Sequence, residues 1–199
     1  MIKTVSSSQT EILGSILTLR GLERFDVDLT YGNGSFYRGS IPKPEHRFDI
    51  DATLADVVCA ESSAVPLADA SVRSVVYDPP FLTYVRKGRT GNGSMILSRR
   101  FAGYWRYDEL EADYRATLRE AHRILSHRGT LVVKCQDIVH NHRLHATHAN
   151  VIDWATGFRL ADLFVLTASH RLPFPNRRGT QRHARIHHSY FLVFEKGKT

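Results

Sequence analysis

Apolar residues recur with two different periods along this 199-residue chain, and the switching between them predicts its elements. Residues 7–20 (SSQTEILGSILTLR) put Ile12, Leu13, Ile16, Leu17 and Leu19 on one side at helical spacing. Ser7 or Ser8 serves as the N-cap, since a serine hydroxyl accepts from the unpaired amides of a first helical turn. Short apolar runs at Phe25–Leu29, His46–Ile50, Val57–Ala60 and Val72–Tyr77 read as strands, as does Gly129–Cys135. The clearest helix is Asp108–Leu125, with Leu110, Tyr114, Leu118, Ala121 and Leu125 along one face, and a shorter one covers Asn150–Thr156. Phe158–Thr167 and Tyr190–Glu195 bring the strands to about seven. Gly39, Pro42 and Pro44 exclude a long helix there, and Gly88, Gly91, Gly93 and Gly103 predict a mobile loop over 82–106. Strands alternating with helices predict an α/β fold on a mostly parallel sheet.

Composition narrows the class. With 42% hydrophobic and 24% charged residues the chain can fill one core, and a single domain over 1–199 is expected. No apolar stretch approaches the ~18 residues of a membrane span, and the start, MIKTVSSSQTEIL, has no signal-peptide core. The expectation is a cytoplasmic protein with no membrane partner. Cys59 and Cys135 lack CxxC spacing and sit in apolar, strand-like contexts, as small core residues of a reducing compartment do. Among eleven histidines, His140, His142, His145 and His148 cluster, but no cysteine or carboxylate stands at zinc-like spacing, so no metal is expected.

The net charge of +7 is unevenly placed. Residues 82–107 carry Arg86, Lys87, Arg89, Arg99, Arg100 and Arg106 without one acid, a local +6. Residues 171–188 carry Arg171, Arg177, Arg178, Arg182 and Arg185, a local +5. The rest of the chain therefore sums to −4. A basic loop is often merely solvated, but two on a slightly acidic body read better as a rim for a polyanion such as nucleic acid. QRHARIHHSY (181–190) reads either as a phosphate-contacting segment or as a polar turn into the last strand.

Candidate chemistry collects at strand ends. Asp78-Pro79-Pro80-Phe81 follows Val72–Tyr77 and sets a carboxylate, two carbonyls and an aromatic face on a backbone that two prolines make nearly rigid. Such an acceptor-rich ledge suits gripping a planar base through its amino group; the plainer alternative is a strand-ending turn with a buried Phe. In FDVDLTYGNGSFY, Asp28 ends the first strand, and Gly32 and Gly34 allow a sharp bend and close backbone approach to a ligand. Asp49 and Asp51 end the second strand, where a carboxylate can accept both ribose hydroxyls, and Glu61 follows the third. Lys134 and Asp137 end the fifth, as site neighbours or as a solvated ion pair.

The order Asp28…Gly32-x-Gly34, Asp49/Asp51, Glu61…Pro66-Leu67, Asp78-Pro79-Pro80-Phe81 resembles the class I S-adenosylmethionine-dependent methyltransferases. More narrowly it is similar to the DNA amino-methyltransferases acting on adenine N6 or cytosine N4, which carry an Asp/Asn/Ser-Pro-Pro-aromatic motif. The resemblance covers most of the chain, with GTLVVKCQD as the fifth strand. It implies a Rossmann-like domain with helices on both faces and an antiparallel last strand, a cofactor half of about 1–77 and a substrate half of about 78–199. S-adenosylmethionine would be the cofactor. Tyr31, Gly32 and Gly34 would line its methionine part with Asp28 near the ammonium, Asp51 or Asp49 would hold the ribose, Glu61 would face the adenine, and Thr10 would cap it. Asp78, Pro79, Pro80 and Phe81 would be catalytic. Two departures stand out: the helix normally found between the second-strand acids and Glu61 is missing, and no ~80-residue stretch remains for a target-recognition domain. Specificity would then come from the basic loops, a partner chain or a homodimer.

In that reading Asp78 and the Pro79 carbonyl accept from both N–H groups of an exocyclic amine and draw its nitrogen toward tetrahedral geometry, so positioning carries the rate without metal or covalent intermediate. Phe81 stacks on a base rotated out of its helix, which costs a few kcal/mol. Tyr104, Trp105 and Tyr107 either wedge and stack as well or pack the following helix. The substrate class favoured is DNA, adenine N6 over cytosine N4. RNA guanine N2 or adenine N6, a small molecule, and a binding module without turnover are the alternatives. The basic loops make a first prediction: raising salt from about 50 to 200 mM should weaken duplex DNA binding by about tenfold or more in fluorescence anisotropy, and a flat salt response would remove the polyanion rim.

Overall fold

The computed structural model describes residues 1–81, 83, 104, 106–168 and 182–197. In chain order these form β1 (Val5–Ser6), α1 (Gln9–Arg20), β2 (Val27–Asp28), β3 (His46–Asp49), β4 (Val58–Cys59), β5 (Val72–Tyr77), α2 (Tyr107–Ile124), β6 (Leu125–Cys135), β7 (Ile138–His140), β8 (Arg143–His145), α3 (Thr147–Trp154), β9 (Phe158–Thr167) and β10 (His188–Lys196). Eight strands make one sheet in the order β1-β9-β10-β6-β5-β2-β3-β4, and β7 and β8 form a separate hairpin. Every neighbouring pair in the sheet is parallel except those of β10, which runs antiparallel to both β6 and β9. From β2 the chain steps outward to β3 and β4, then returns to the other side of β2 as β5 and continues to β6. Strand order thus reverses between β2 and β5, and the crevice beyond their carboxyl ends is where such sheets bind ligands.

Side chains alternate across the sheet and build two cores. Val75, Tyr77, Leu131, Val133, Leu192 and Phe194 pack under α2 through Leu110, Tyr114 and Leu118, with Val151 and Trp154 of α3. Val76, Val132, Phe191 and Val193 pack under α1 through Ile12, Leu13, Ile16 and Leu17. Helices therefore cover both faces, as expected.

Local chemistry ends these helices. Ser8 caps α1, its hydroxyl accepting from Glu11 N–H at 3.2 Å, and Gly21 closes it at φ 60°, a left-handed value that disfavours a side chain. α2 runs straight into β6, and Lys196 donates to the carbonyls of His122 and Leu125, both at 2.7 Å, satisfying oxygens a helix end leaves unpaired. The connection before β5 has little regular structure, so α2 supplies its hydrogen bonds: Glu120 accepts from Val65 N–H at 2.9 Å, and Arg123 donates to the carbonyls of Val65 and Leu67.

Several expectations are corrected. Leu19 is 48% exposed, because it lies past the edge of the stripe formed by Ile12, Leu13, Ile16 and Leu17. Cys135 is buried in β6, but Cys59 is exposed, since β4 is the outermost strand of the sheet. The strands expected at 25–29 and 57–60 shrink to two residues each, Leu125 opens β6 rather than closing α2, and the short helix shifts to Thr147–Trp154. Pairing of β6 with β5 starts at Leu125↔Val72 and resumes at Thr130↔Ser74, so residues 126–129 bulge out. The hairpin β7–β8 gave no sequence signal because its turn uses Asn141 and His142 at φ 49° and 59° in place of an Asn-Gly pair. The loop expected at 82–106 lies outside the described residues except for Thr83, Tyr104 and Arg106. Among the described residues no helix is long and apolar enough to cross a membrane.

Truncating Leu110, which is fully buried between α2 and the sheet, leaves a cavity that close-packed neighbours cannot collapse into. Leu110→Ala should lower unfolding free energy by about 2–5 kcal/mol, read from the urea midpoint at unchanged slope.

Candidate active site

The turn after β2 is built on a buried carboxylate. Asp28 is wholly inaccessible. One of its oxygens accepts from Thr30 N–H at 2.7 Å and the other from the Tyr37 hydroxyl at 2.7 Å. Burial, the largest cause, pushes its pKa from 3.8 up to about 7; these two hydrogen bonds pull it back, and nearby Asp78 and Asp49 add repulsion. Gly32 and Gly34 then turn the backbone at φ 55° and 75°. A Cβ at Gly34 would stand 2.6 Å from the Tyr31 hydroxyl oxygen, so this position excludes any side chain. Asp49, at the end of β3, accepts from Gly32 N–H at 2.7 Å and from Asp51 N–H at 2.9 Å. Asp51 itself is exposed, and so is Glu61 just beyond β4.

Thr30 joins this turn to the proline ledge. Its hydroxyl oxygen accepts from Asp78 N–H at 2.8 Å across 48 residues of sequence, and Leu29 N–H donates to the Val76 carbonyl at 3.0 Å. The glycine bend and the Asp-Pro-Pro-Phe ledge therefore sit side by side at the strand reversal. Pro79 is buried, whereas Asp78, Pro80 and Phe81 are half-buried. Burial raises the Asp78 pKa, and the Lys134 ammonium 3.5 Å away opposes the rise. Lys134 is held in turn by Gln9 Oε1 at 2.9 Å and lies 5.2 and 5.5 Å from the ring centres of Phe36 and Phe191.

Beside the ledge is a cavity of about 390 Å³ whose lining includes Gln9, Phe81, Lys134, Gln136, His188 and Ser189. Topology explains why such distant residues meet. β1 is parallel to β9, so α1 starts at the carboxyl edge, and antiparallel β10 brings its first residues to that same edge. Thr10 follows Gln9 in the first turn of α1 and bonds weakly to the Arg38 carbonyl at 3.4 Å.

No family model and no curated protein matches this chain. Solved structures do. A chain from the complex between the Haloferax volcanii Trm112 methyltransferase activator and its methyltransferase is 19% identical, with TM-score 0.55, covering 96% of this chain and 90% of that one. A sarcosine dimethylglycine methyltransferase structure from Galdieria sulphuraria is 13% identical, with TM-score 0.54, covering 94% and 85%. The fold is that of the Rossmann-like methyltransferases. A DNA modification methylase from Thermus thermophilus is 19% identical at TM-score 0.48, covering 77% of this chain, and this chain spans 55% of its length.

Within this methyltransferase fold, Thr10, Asp28, Tyr31, Gly32, Gly34, Asp49, Asp51 and Glu61 all fall along the carboxyl ends of β2–β4 or the neighbouring start of α1. Asp78 to Phe81 adjoin them. The residues fit a nucleoside-bearing cofactor: side-chain-free turns, a half-buried carboxylate at β3, and a buried Tyr31 hydroxyl that has no partner among the described residues. Both oxygens of Asp28 are engaged within the turn, by Thr30 N–H and the Tyr37 hydroxyl. No helix intervenes between β3 and Glu61, in line with the shortened connection in the sequence. Tyr104 and Tyr107 pack α2 rather than extend over the site: Tyr104 donates to Asp113 at 2.5 Å, and Tyr107 accepts from Asn150 at 2.9 Å. Arg182 and Arg185 are exposed, while Arg86, Lys87, Arg89, Arg99, Arg100, Trp105, Arg177 and Arg178 lie outside the described residues. No group of three or more histidine, cysteine or acidic side chains among the described residues is arranged to hold a metal. Sequence reasoning missed Thr30, Tyr37 and Gln9, which carry no pattern. Lys134 did carry one, a lone charge in the apolar run of β6.

The raised Asp28 pKa makes a pH prediction with its sign inverted from the usual carboxylate. Between about pH 4 and 7 the folded protein keeps a proton that the unfolded chain has released, so this group favours folding at low pH and the advantage is lost as pH rises through 7. Asp28→Asn cannot ionise and keeps an acceptor for Thr30. Its unfolding free energy should fall less than the parent's between pH 5 and 8, by on the order of a few kcal/mol, in paired urea titrations.

Proposed function

We propose that this protein transfers a methyl group from S-adenosylmethionine to the exocyclic amino nitrogen of a base in DNA, adenine N6 in preference to cytosine N4. The observation that carries the reading is the 2.8 Å hydrogen bond from Asp78 N–H to Thr30. It sets a rigid acceptor ledge directly against a glycine turn suited to the cofactor. We take residues 1–199 as one working domain, with the cofactor on the 1–77 side and the substrate on the 78–199 side.

When bound, S-adenosylmethionine supplies an electrophilic methyl group on a sulfonium. Tyr31, Gly32 and Gly34 hold its methionine part, Glu61 meets its adenine, and Thr10 borders it. Asp49 is the better ribose partner than Asp51, because it is half-buried and already braced against the turn by Gly32. Asp28 works from below, fixing Thr30 and through it Asp78.

An amino group on a base is a weak nucleophile because its lone pair is delocalised into the ring. Asp78 and the Pro79 carbonyl accept from its two N–H groups and localise that pair on nitrogen. This task requires an ionised Asp78, and Lys134 at 3.5 Å favours the anion that burial disfavours. Phe81 offers a partly exposed ring beside the cavity for the base to stack on. Arg182 and Arg185, with Arg86, Lys87, Arg89, Arg99, Arg100, Arg177 and Arg178, contact phosphates. The chain's +7 net charge favours a polyanionic substrate over a small neutral one.

The test is incubation with S-adenosylmethionine and, separately, duplex DNA, single-stranded DNA and RNA, followed by mass identification of the methylated nucleosides. N6-methyladenine should arise in DNA. Asp78→Ala should lower its formation by about 10²-fold or more while calorimetric cofactor affinity changes little. Undiminished product from that variant would refute the mechanism, and product in RNA alone would move the substrate to that class.

A further inference from the structure

Methylating an amino nitrogen leaves it cationic, and its proton needs an acceptor. Asp78 is already engaged with the Lys134 ammonium 3.5 Å away, and its task in the reading above is to accept the amine's N–H groups as an anion. A second polar chain reaches the same cavity from β10. Asp137, just past β6, accepts from the Tyr190 hydroxyl at 3.4 Å on one oxygen and meets His148 Nδ1 of α3 at 2.7 Å on the other. His148 N–H also donates to Asp137 at 3.3 Å, and the His148 and Tyr190 rings stack at 4.2 Å. His188 Nε2 lies 2.9 Å from the Tyr190 hydroxyl oxygen. Gln136 donates to the His188 carbonyl at 2.6 Å, and both residues line the cavity with Phe81 and Lys134.

Donor and acceptor roles along this chain follow from its end. A carboxylate only accepts, so Tyr190 spends its one proton on Asp137. With its hydroxyl donating to Asp137, the tyrosine oxygen is left to accept, and the Nε2–H form of His188 is the one that complements it at 2.9 Å. That choice of tautomer leaves the lone pair on Nδ1, by the same logic through which a carboxylate sets a catalytic imidazole. Among the described residues, the charged and titratable groups linked to His188 are Tyr190 on its own strand, Asp137 just past β6 and His148 from α3, and Lys134 of β6 lines the same cavity.

We propose that His188 is the proton acceptor of the methyl transfer, with Asp137 and Tyr190 as the residues that hold it in the Nε2–H form. This rests on the activity proposed above. As the new C–N bond forms, the C–S bond breaks and its electron pair stays on sulfur. The nitrogen releases one proton to His188 Nδ1, and the imidazolium, supported through Tyr190 by the Asp137 carboxylate, later returns that proton to water.

The test pairs kinetics with a readout independent of turnover. Long-range ¹H–¹⁵N spectra of the free protein should show His188 as the Nε2–H tautomer, and Tyr190→Phe, which keeps the ring stack on His148, should lose that preference. In the methylation assay, the parent's kcat should fall on the acid side. His188→Asn should lose about 10²-fold in kcat and that acid limb together, with cofactor affinity and melting temperature near the parent's. Tyr190→Phe should shift the acid limb with a smaller loss. A parent that methylates and a His188→Asn variant with equal kcat and an unchanged pH profile would overturn this role alone. An Nδ1–H tautomer in the parent would overturn it too. A parent that binds the cofactor yet methylates neither DNA nor RNA would overturn the underlying activity and this role with it.

Discussion

Everything at the carboxyl edge depends on one buried ionisable group. Asp28 has no contact with solvent, and its two hydrogen bonds decide where Thr30 and Tyr37 go. Thr30 then receives the amide of Asp78, so a carboxylate on β2 sets the start of the ledge on β5. The energetic penalty for this arrangement is visible in the displaced pKa of Asp28. A buried acid with unmet hydrogen-bonding capacity would cost more still, which explains why both oxygens are used.

Three acids, Asp28, Asp49 and Asp78, crowd one crevice, and each is managed differently. Asp28 has its pKa pushed up by burial, Asp49 accepts from two backbone amides, and Asp78 faces an ammonium. Lys134 can meet Asp78 only because β5 and β6 are parallel neighbours ending at the same level. Its ammonium lies over the rings of Phe36 and Phe191 and donates a hydrogen bond to Gln9 at the start of α1. Two ligand-facing halves of the crevice are thereby joined through a lysine.

The antiparallel placement of β10 has a consequence for chemistry as well as for sheet order. A parallel strand there would present its last residues to the crevice. Running the other way, β10 presents His188 and Tyr190 beside Gln136 and Asp137, the two residues that follow β6. Polar groups that are ordinary in sequence become a connected chain from α3 to the cavity.

The fold class, both main helices, the strand-end acids and the Asp-Pro-Pro-Phe ledge were legible from the chain alone. Each rests on local information: the period of apolar residues, the fixed torsions of proline, or glycine where only positive φ will serve. Strands such as β1 and β7 were not, because two or three residues make no periodic pattern and only a neighbouring strand makes them strands. Nor was the burial of Asp28, the exposure of Cys59 on an edge strand, or the pairing of Lys134 with Asp78. Sequence spacing says which residues share an element; the distances that give them chemical roles arise only when strands far apart in the chain are laid side by side.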